Sequence, residues 1–285
     1  MFVLKRTSLL SAIAALGFWG LATPAWGQAL VPYVLPLDYE RLEDQGLFLL
    51  QEALQRAQVQ QQYRQALALA QLASQLAPNE VSVWGLLGTL YLQVEEYDAA
   101  IVALDRARQL DADESAVLFA LGTAHFRNGD YAQSANYLEA GLRLEPDNPG
   151  ALFDLGNAYF KQGRFDLAIA QYERSVEIEP DFWPSINNIG LVFYEQGRID
   201  EAIAQWEASL EQSPEEPEPQ LAIAVARYRQ SRDASALSLG IAALERDSRY
   251  AQRDFLVQNL WGERLLADTD VFFNVPAVRA ILAQL

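Results

Sequence analysis

Few residues of this chain could do covalent or acid–base chemistry. Its 285 residues include one histidine, His125, and no cysteine. Thiol catalysis, thiolate metal sites and disulfides are thereby excluded. A Ser-His-Asp relay would have to pass through His125. A metal there would need carboxylate or imidazole partners that the sequence does not place beside it. No glycine-rich phosphate loop is present. Acids are abundant, 38 Asp and Glu against 21 Lys and Arg, but at helical spacing they read as solvated faces. No catalytic residue, cofactor site or metal site is assigned, and the chain is expected not to be an enzyme.

The slot that holds His125 explains what the sequence builds instead. Tyr91, His125, Tyr159 and Phe193 recur every 34 residues, each three positions after a glycine: Gly88, Gly122, Gly156 and Gly190. The same period carries large apolar residues (Tyr97, Tyr131, Phe165, Ile199) and small ones (Ala100, Ser134, Ala168, Ala202). A second small set follows at Ala107, Gly141, Ser175 and Ser209, and proline closes the unit at Pro146, Pro180 and Pro214. A fixed period of this length means stacked repeats rather than one globular core. Within one unit, Leu152, Leu155, Tyr159 and Phe160 form a helical stripe. Gly163 ends that helix, and a second stripe runs from Phe165 to Ile178. Each unit is therefore a helix pair, with small residues at the crossing and rings between neighbouring units.

Trp84, Leu87, Gly88, Tyr91, Ala100 and Ala107, with their counterparts in the next units, resemble the tetratricopeptide repeat (TPR) family. The resemblance implies an all-α, right-handed superhelical solenoid of about six helix pairs with a C-terminal capping helical segment. The units fall at 47–80, 81–114, 115–148, 149–182 and 183–216, with a degenerate sixth at 217–250 and capping helices at 251–285. The sixth unit places Ala224 in the glycine slot and Arg227 in the ring slot.

The same resemblance places a binding groove along the first helices of the pairs, lined by Phe119, Thr123, Phe126, Arg127, Phe153, Asn157, Phe160, Lys161, Asn187, Leu191 and Tyr194. Helical offsets agree, since Phe119, Thr123 and Phe126 lie at i, i+4 and i+7. Rings with interspersed amides suit an extended peptide; the alternative is that some of these rings pack against the neighbouring unit. The basic residues of a carboxylate clamp are missing, with Ala116, Ala120, Gly150 and Asp154 in their places.

Lys5 and Arg6, then an apolar run from Leu9 to Leu21 and small residues, read as a signal peptide over 1–27, cleaved after Gly27 or, alternatively, after Ala25. A lead-in segment, 28–46, follows. Export to a periplasm or thylakoid lumen is expected; the alternative is an uncleaved membrane anchor through residues 7–26. In this respect the chain resembles exported TPR proteins of cyanobacteria. Loss of residues 1–27 takes the net charge from −17 to −19, since only Lys5 and Arg6 go. Such a charge argues against nucleic-acid binding. The functional expectation is a scaffold or adaptor that holds a partner protein or peptide, assisting assembly of a membrane-associated complex. Self-association is the alternative, with Val278, Ile281, Leu282 and Leu285 of the last helix docking on another copy.

Overall fold

A computed structural model describes residues 38–285. The expected signal peptide over 1–27, its cleavage sites and the first part of the lead-in segment lie outside the described residues. From Tyr39 the chain is helical, so the segment 28–46 already enters the first helix pair at its end.

Twelve helices pair in sequence order. They are α1 (Tyr39–Gln58) with α2 (Tyr63–Leu76), α3 (Val81–Gln93) with α4 (Tyr97–Leu110), and α5 (Ser115–Arg127) with α6 (Tyr131–Leu144). The series continues with α7 (Pro149–Lys161) and α8 (Phe165–Ile178), α9 (Trp183–Glu195) and α10 (Ile199–Gln212), and α11 (Pro217–Ser231) and α12 (Ala234–Arg246). Each second helix also packs on the next first helix, and the first helices from α1 to α9 touch in succession, which makes the pairs a continuous stack.

The glycine period has a direct steric cause. A Cβ on Gly88 or Gly122 would stand 2.4 or 2.5 Å from Cγ of Leu104 or Leu138. At Gly156 and Gly190 the obstructing groups are the rings of Tyr172 and Trp206, at 2.4 and 2.5 Å. Each glycine thus opposes a large residue on the second helix of its own pair, and helix packing at this distance needs the missing side chain. In the sixth unit the arrangement is reversed. Ala224 takes the first-helix position and Gly240 the second-helix position, where an added Cβ would lie 3.0 Å from that of Ala224 and 2.5 Å from Cζ of Phe272. The unit keeps the small contact but lends its spare volume to a ring from beyond the repeats.

The turn inside each pair is also periodic. Gly129, Gly163 and Gly197 have φ of +84°, +71° and +80°, and Gln61 and Glu95 occupy the same slot at +51° and +63°. After the fourth unit's first helix, Arg164 N donates to Tyr159 O and Gly163 N to Phe160 O, the paired bonds of a left-handed helix stop. The ring slot ties successive units together. Tyr91 OH accepts from Gln71 Nε2 at 2.9 Å, and Tyr159 OH donates to Glu139 Oε1 at 2.6 Å. Arg227 reaches the equivalent residue, Glu207, so a polar tip replaces the ring without losing the tie. His125 instead stacks on Tyr137, centroids 5.2 Å apart, in a half-buried packing position.

Beyond the pairs come a 3-10 turn (Ser248–Ala251), α13 (Arg253–Gln258), α14 (Glu263–Phe273) and α15 (Pro276–Leu282). Helix α14 lies against α9 and α11, and α15 against α12 and α14. Val278 is fully buried and Leu282 packs on the core. Much of the face expected to dock on another copy is thus used within the chain. No helix among the described residues is long and apolar enough to cross a membrane.

Candidate binding site on the first-helix face

A pocket of about 250 Å³ opens where α5, α7 and α9 face the segment Gln258 to Leu260. Its apolar wall is Phe126, Phe153, Trp183 and Pro184. The Phe153 ring is braced by Tyr172 and Phe182, at centroid distances of 5.9 and 5.5 Å. Its polar lining is Thr123, Arg127, Asp154, Asn157, Asn187, Asn188 and Glu218.

These polar groups form a ladder across four units. Thr123 Oγ1 donates to Asp154 Oδ2 at 3.0 Å. Asn157 Oδ1 accepts from Tyr172 OH at 2.8 Å and from Asn188 Nδ2 at 2.9 Å. Asn187 Nδ2 donates to Asn188 Oδ1 at 3.1 Å, while Asn187 Oδ1 has no hydrogen-bond partner among the described residues. Glu218 Oε1 accepts from Trp261 Nε1 at 3.1 Å, and Oε2 from Tyr250 OH at 3.4 Å. Burial pushes the Glu218 carboxyl up to about 7, against the pull of its donors Trp261, Asn187 and Tyr250. Desolvation likewise raises Asp154, outweighing the Thr123 hydrogen bond and the Arg127 charge. Such a ladder suits recognition: rings supply contact area and fixed polar groups supply orientation.

Of the groove residues expected from sequence, Thr123, Phe126, Arg127, Phe153, Asn157 and Asn187 line this pocket. The others do not. Phe119 lies over Gly141, whose added Cβ would stand 2.4 Å from its ring. Phe160 is buried and meets Phe165 at 5.7 Å, and the half-buried Lys161 sits over the Tyr131 ring. Burial lowers the Lys161 ammonium.

At the far end the groove is not open. Leu191 and Tyr194 are buried beside α14. Tyr194 OH donates to Asp268 Oδ2 at 2.8 Å, and Asp268 also pairs with Arg229 at 2.9 Å. The Glu195 carboxylate accepts from the backbone amides of Arg264 and Leu265, at 3.1 and 3.0 Å. It thereby caps the first turn of α14 from another helix, where the helix dipole favours a negative group. A Cβ on Gly262 would fall 2.2 Å from Glu195 Cδ, so the Glu195 side chain would have to shift from this position. The first helices of the fifth and sixth units therefore hold the chain's own C-terminal segment. The pocket lies beside that segment, closed on one side by Gln258 to Leu260.

Asp154, Asn188, Trp183 and Glu218 were not among the expected groove residues. Asp154 and Asn188 share a repeat slot, 34 residues apart, and a polar residue there in consecutive units is the signal that marks them.

Comparison with known proteins accords with this geometry. A tetratricopeptide-repeat model matches residues 119–181, and a second TPR model matches residues 190–231. A model described as ChAPs (Chs5p-Arf1p-binding proteins) matches residues 36–118. No curated protein matches the chain in sequence. Among solved structures, MamA is 25% identical with a TM-score of 0.52, covering 56% of this chain and 93% of its own. PilW, a widely conserved type IV pilus biogenesis factor, is 21% identical with a TM-score of 0.60, covering 78% and 97%. YrrB, a TPR protein with an unusual peptide-binding site, is 20% identical with a TM-score of 0.50, covering 66% and 96%. The chain is thus similar to the tetratricopeptide-repeat family over residues 119–181 and 190–231, and its helix pairs have the fold of a TPR solenoid.

Proposed function

We propose that this protein is a non-enzymatic adaptor that holds an extended segment of a partner protein in the pocket between α5, α7 and α9. One observation carries the reading. The pocket presents braced aromatic faces, Phe153 among them, beside a fixed ladder of amides and carboxyls with an unpartnered acceptor at Asn187. Aromatic anchors in desolvated pockets dominate binding energy, and amides along a groove suit a peptide backbone. The names of two similar proteins, a peptide-binding TPR protein and a pilus biogenesis factor, point the same way. We place the adaptor outside the cytoplasm, in a periplasm or thylakoid lumen, on the strength of Lys5, Arg6 and the apolar run that follows. Assembly of a membrane-associated complex is the role that fits both features. Sequencing the N-terminus of the purified protein checks the export step, with Gln28 expected as the first residue.

The test of the adaptor role compares affinity capture by the wild-type chain with capture by the Phe126→Ala/Phe153→Ala variant. A control variant carries Val102→Ser on the exposed face of α4. A partner lost only from the groove variant supports the reading. Equal recovery by all three chains refutes it.

A further inference from the structure

The adaptor reading leaves open which side chain of a partner the pocket selects, and the geometry points to a basic one: an arginine, or less well a lysine, inserted between the aromatic walls. The inference rests on the pocket being a peptide site. The deep lining is rich in acceptors. Asp154 and Glu218 carry carboxyls that form no ion pair among the described residues, and the Asn187 Oδ1 is buried without a donor. Both carboxyls sit above their usual range because burial costs their charge more than their neighbours restore. An incoming cation reverses that balance. A guanidinium offers five donors in a planar fork, enough to meet a carboxylate and an orphan amide oxygen together. The rings of Phe126, Phe153 and Trp183 supply faces that attract a cation. Arg127 is exposed on the pocket's edge; its charge only partly offsets the desolvation of Asp154. A pocket of about 250 Å³ is smaller than the roughly 300–1,000 Å³ of small-molecule sites, and suits one long side chain better than a drug-sized ligand. The chain's net charge of −17 would steer a basic segment toward it.

The experiment is an array of ten-residue peptides of varied sequence probed with the full chain, followed by titration of the best binders. Binders should be enriched in arginine, and replacing that arginine with citrulline, which keeps its shape but not its charge, should weaken binding about tenfold or more. Asp154→Asn should reproduce the loss on the protein side. The citrulline arm needs no altered protein, so it decides the matter even if that variant folds poorly. Binders that depend on Phe126 and Phe153 but show no loss with citrulline would overturn the cation assignment and leave the adaptor reading standing. An array without binders would overturn both.

Discussion

Replacing Gly156 by alanine tests the steric logic of the repeat next to the pocket residue Asn157. The new Cβ would lie 2.4, 2.7 and 2.9 Å from Cε1, Cδ1 and Cζ of Tyr172. Carbon atoms at rest stand about 3.5–4.0 Å apart, so the ring must retreat by about 1 Å. It has little freedom to do so. Tyr172 is fully buried, its hydroxyl donates to Asn157, and its ring braces Phe153. Overpacking costs about 1–3 kcal/mol, and a stranded hydroxyl or amide about 1–3 kcal/mol more. The better helix propensity of alanine offsets up to about 1 kcal/mol. The net expectation is a loss of about 3 kcal/mol, within a range of about 1–5 kcal/mol. Gly163→Ala is the matched control: nothing lies within 4 Å of its added Cβ, and only its φ of +71° is disfavoured, a cost of about 1 kcal/mol. Repeat arrays need not unfold in one step, so the assay is urea unfolding together with hydrogen exchange of the α7 and α8 amides. Gly156→Ala should be the more damaging of the two and should loosen α7 and α8 first. Stability equal to wild type, or a smaller loss than Gly163→Ala, would refute the crossing argument.

Three further outcomes follow from the same contacts. Glu195→Ala removes both acceptors from the start of α14, and should release that helix by about 1–3 kcal/mol, read as faster exchange of the residue 263–273 amides while α5 to α8 stay unchanged. Glu218, raised from 4.5 to about 7, contributes stability that is fully present below pH 4.5 and lost as the pH rises through 7, about 3 kcal/mol across that window; protection of the C-terminal segment should therefore grow on acidification, and Glu218→Gln should flatten the dependence. Glu95→Gly, at an exposed residue with φ of +63° in the slot that Gly129, Gly163 and Gly197 fill, should raise stability by about 1 kcal/mol in thermal unfolding.

The parts of the fold that repeat were legible because their causes are local. A glycine and the large residue it faces lie in one helix pair, so the pattern returns with every unit. The sixth unit looked degraded because its small residue had moved from the first helix to Gly240, and the ring filling the space, Phe272, comes from another element. The filled end of the groove was not legible for the same kind of reason. Tyr194 meets Asp268 and Glu195 meets Leu265 across 74 and 70 residues, and no periodicity announces such contacts. Repeat offsets therefore pick out Phe126, Phe153 and Asn157, which line the pocket, together with Leu191 and Tyr194, which lie buried on the helix that α14 packs against. Phe160 and Lys161 lie at groove offsets too, but Phe165 and Tyr131 hold them in packing contacts.

The adaptor's partner should touch the chain at the open pocket and nowhere on the outer face of α4. A photo-crosslinking amino acid placed at position 126, at position 194 or at position 102 in otherwise unaltered protein would report this directly. Partner cross-links should form from position 126, at the open pocket, while position 194 links only to the chain's own α14 and position 102 to neither. Partner cross-links from position 102, or none from position 126, would contradict the adaptor reading.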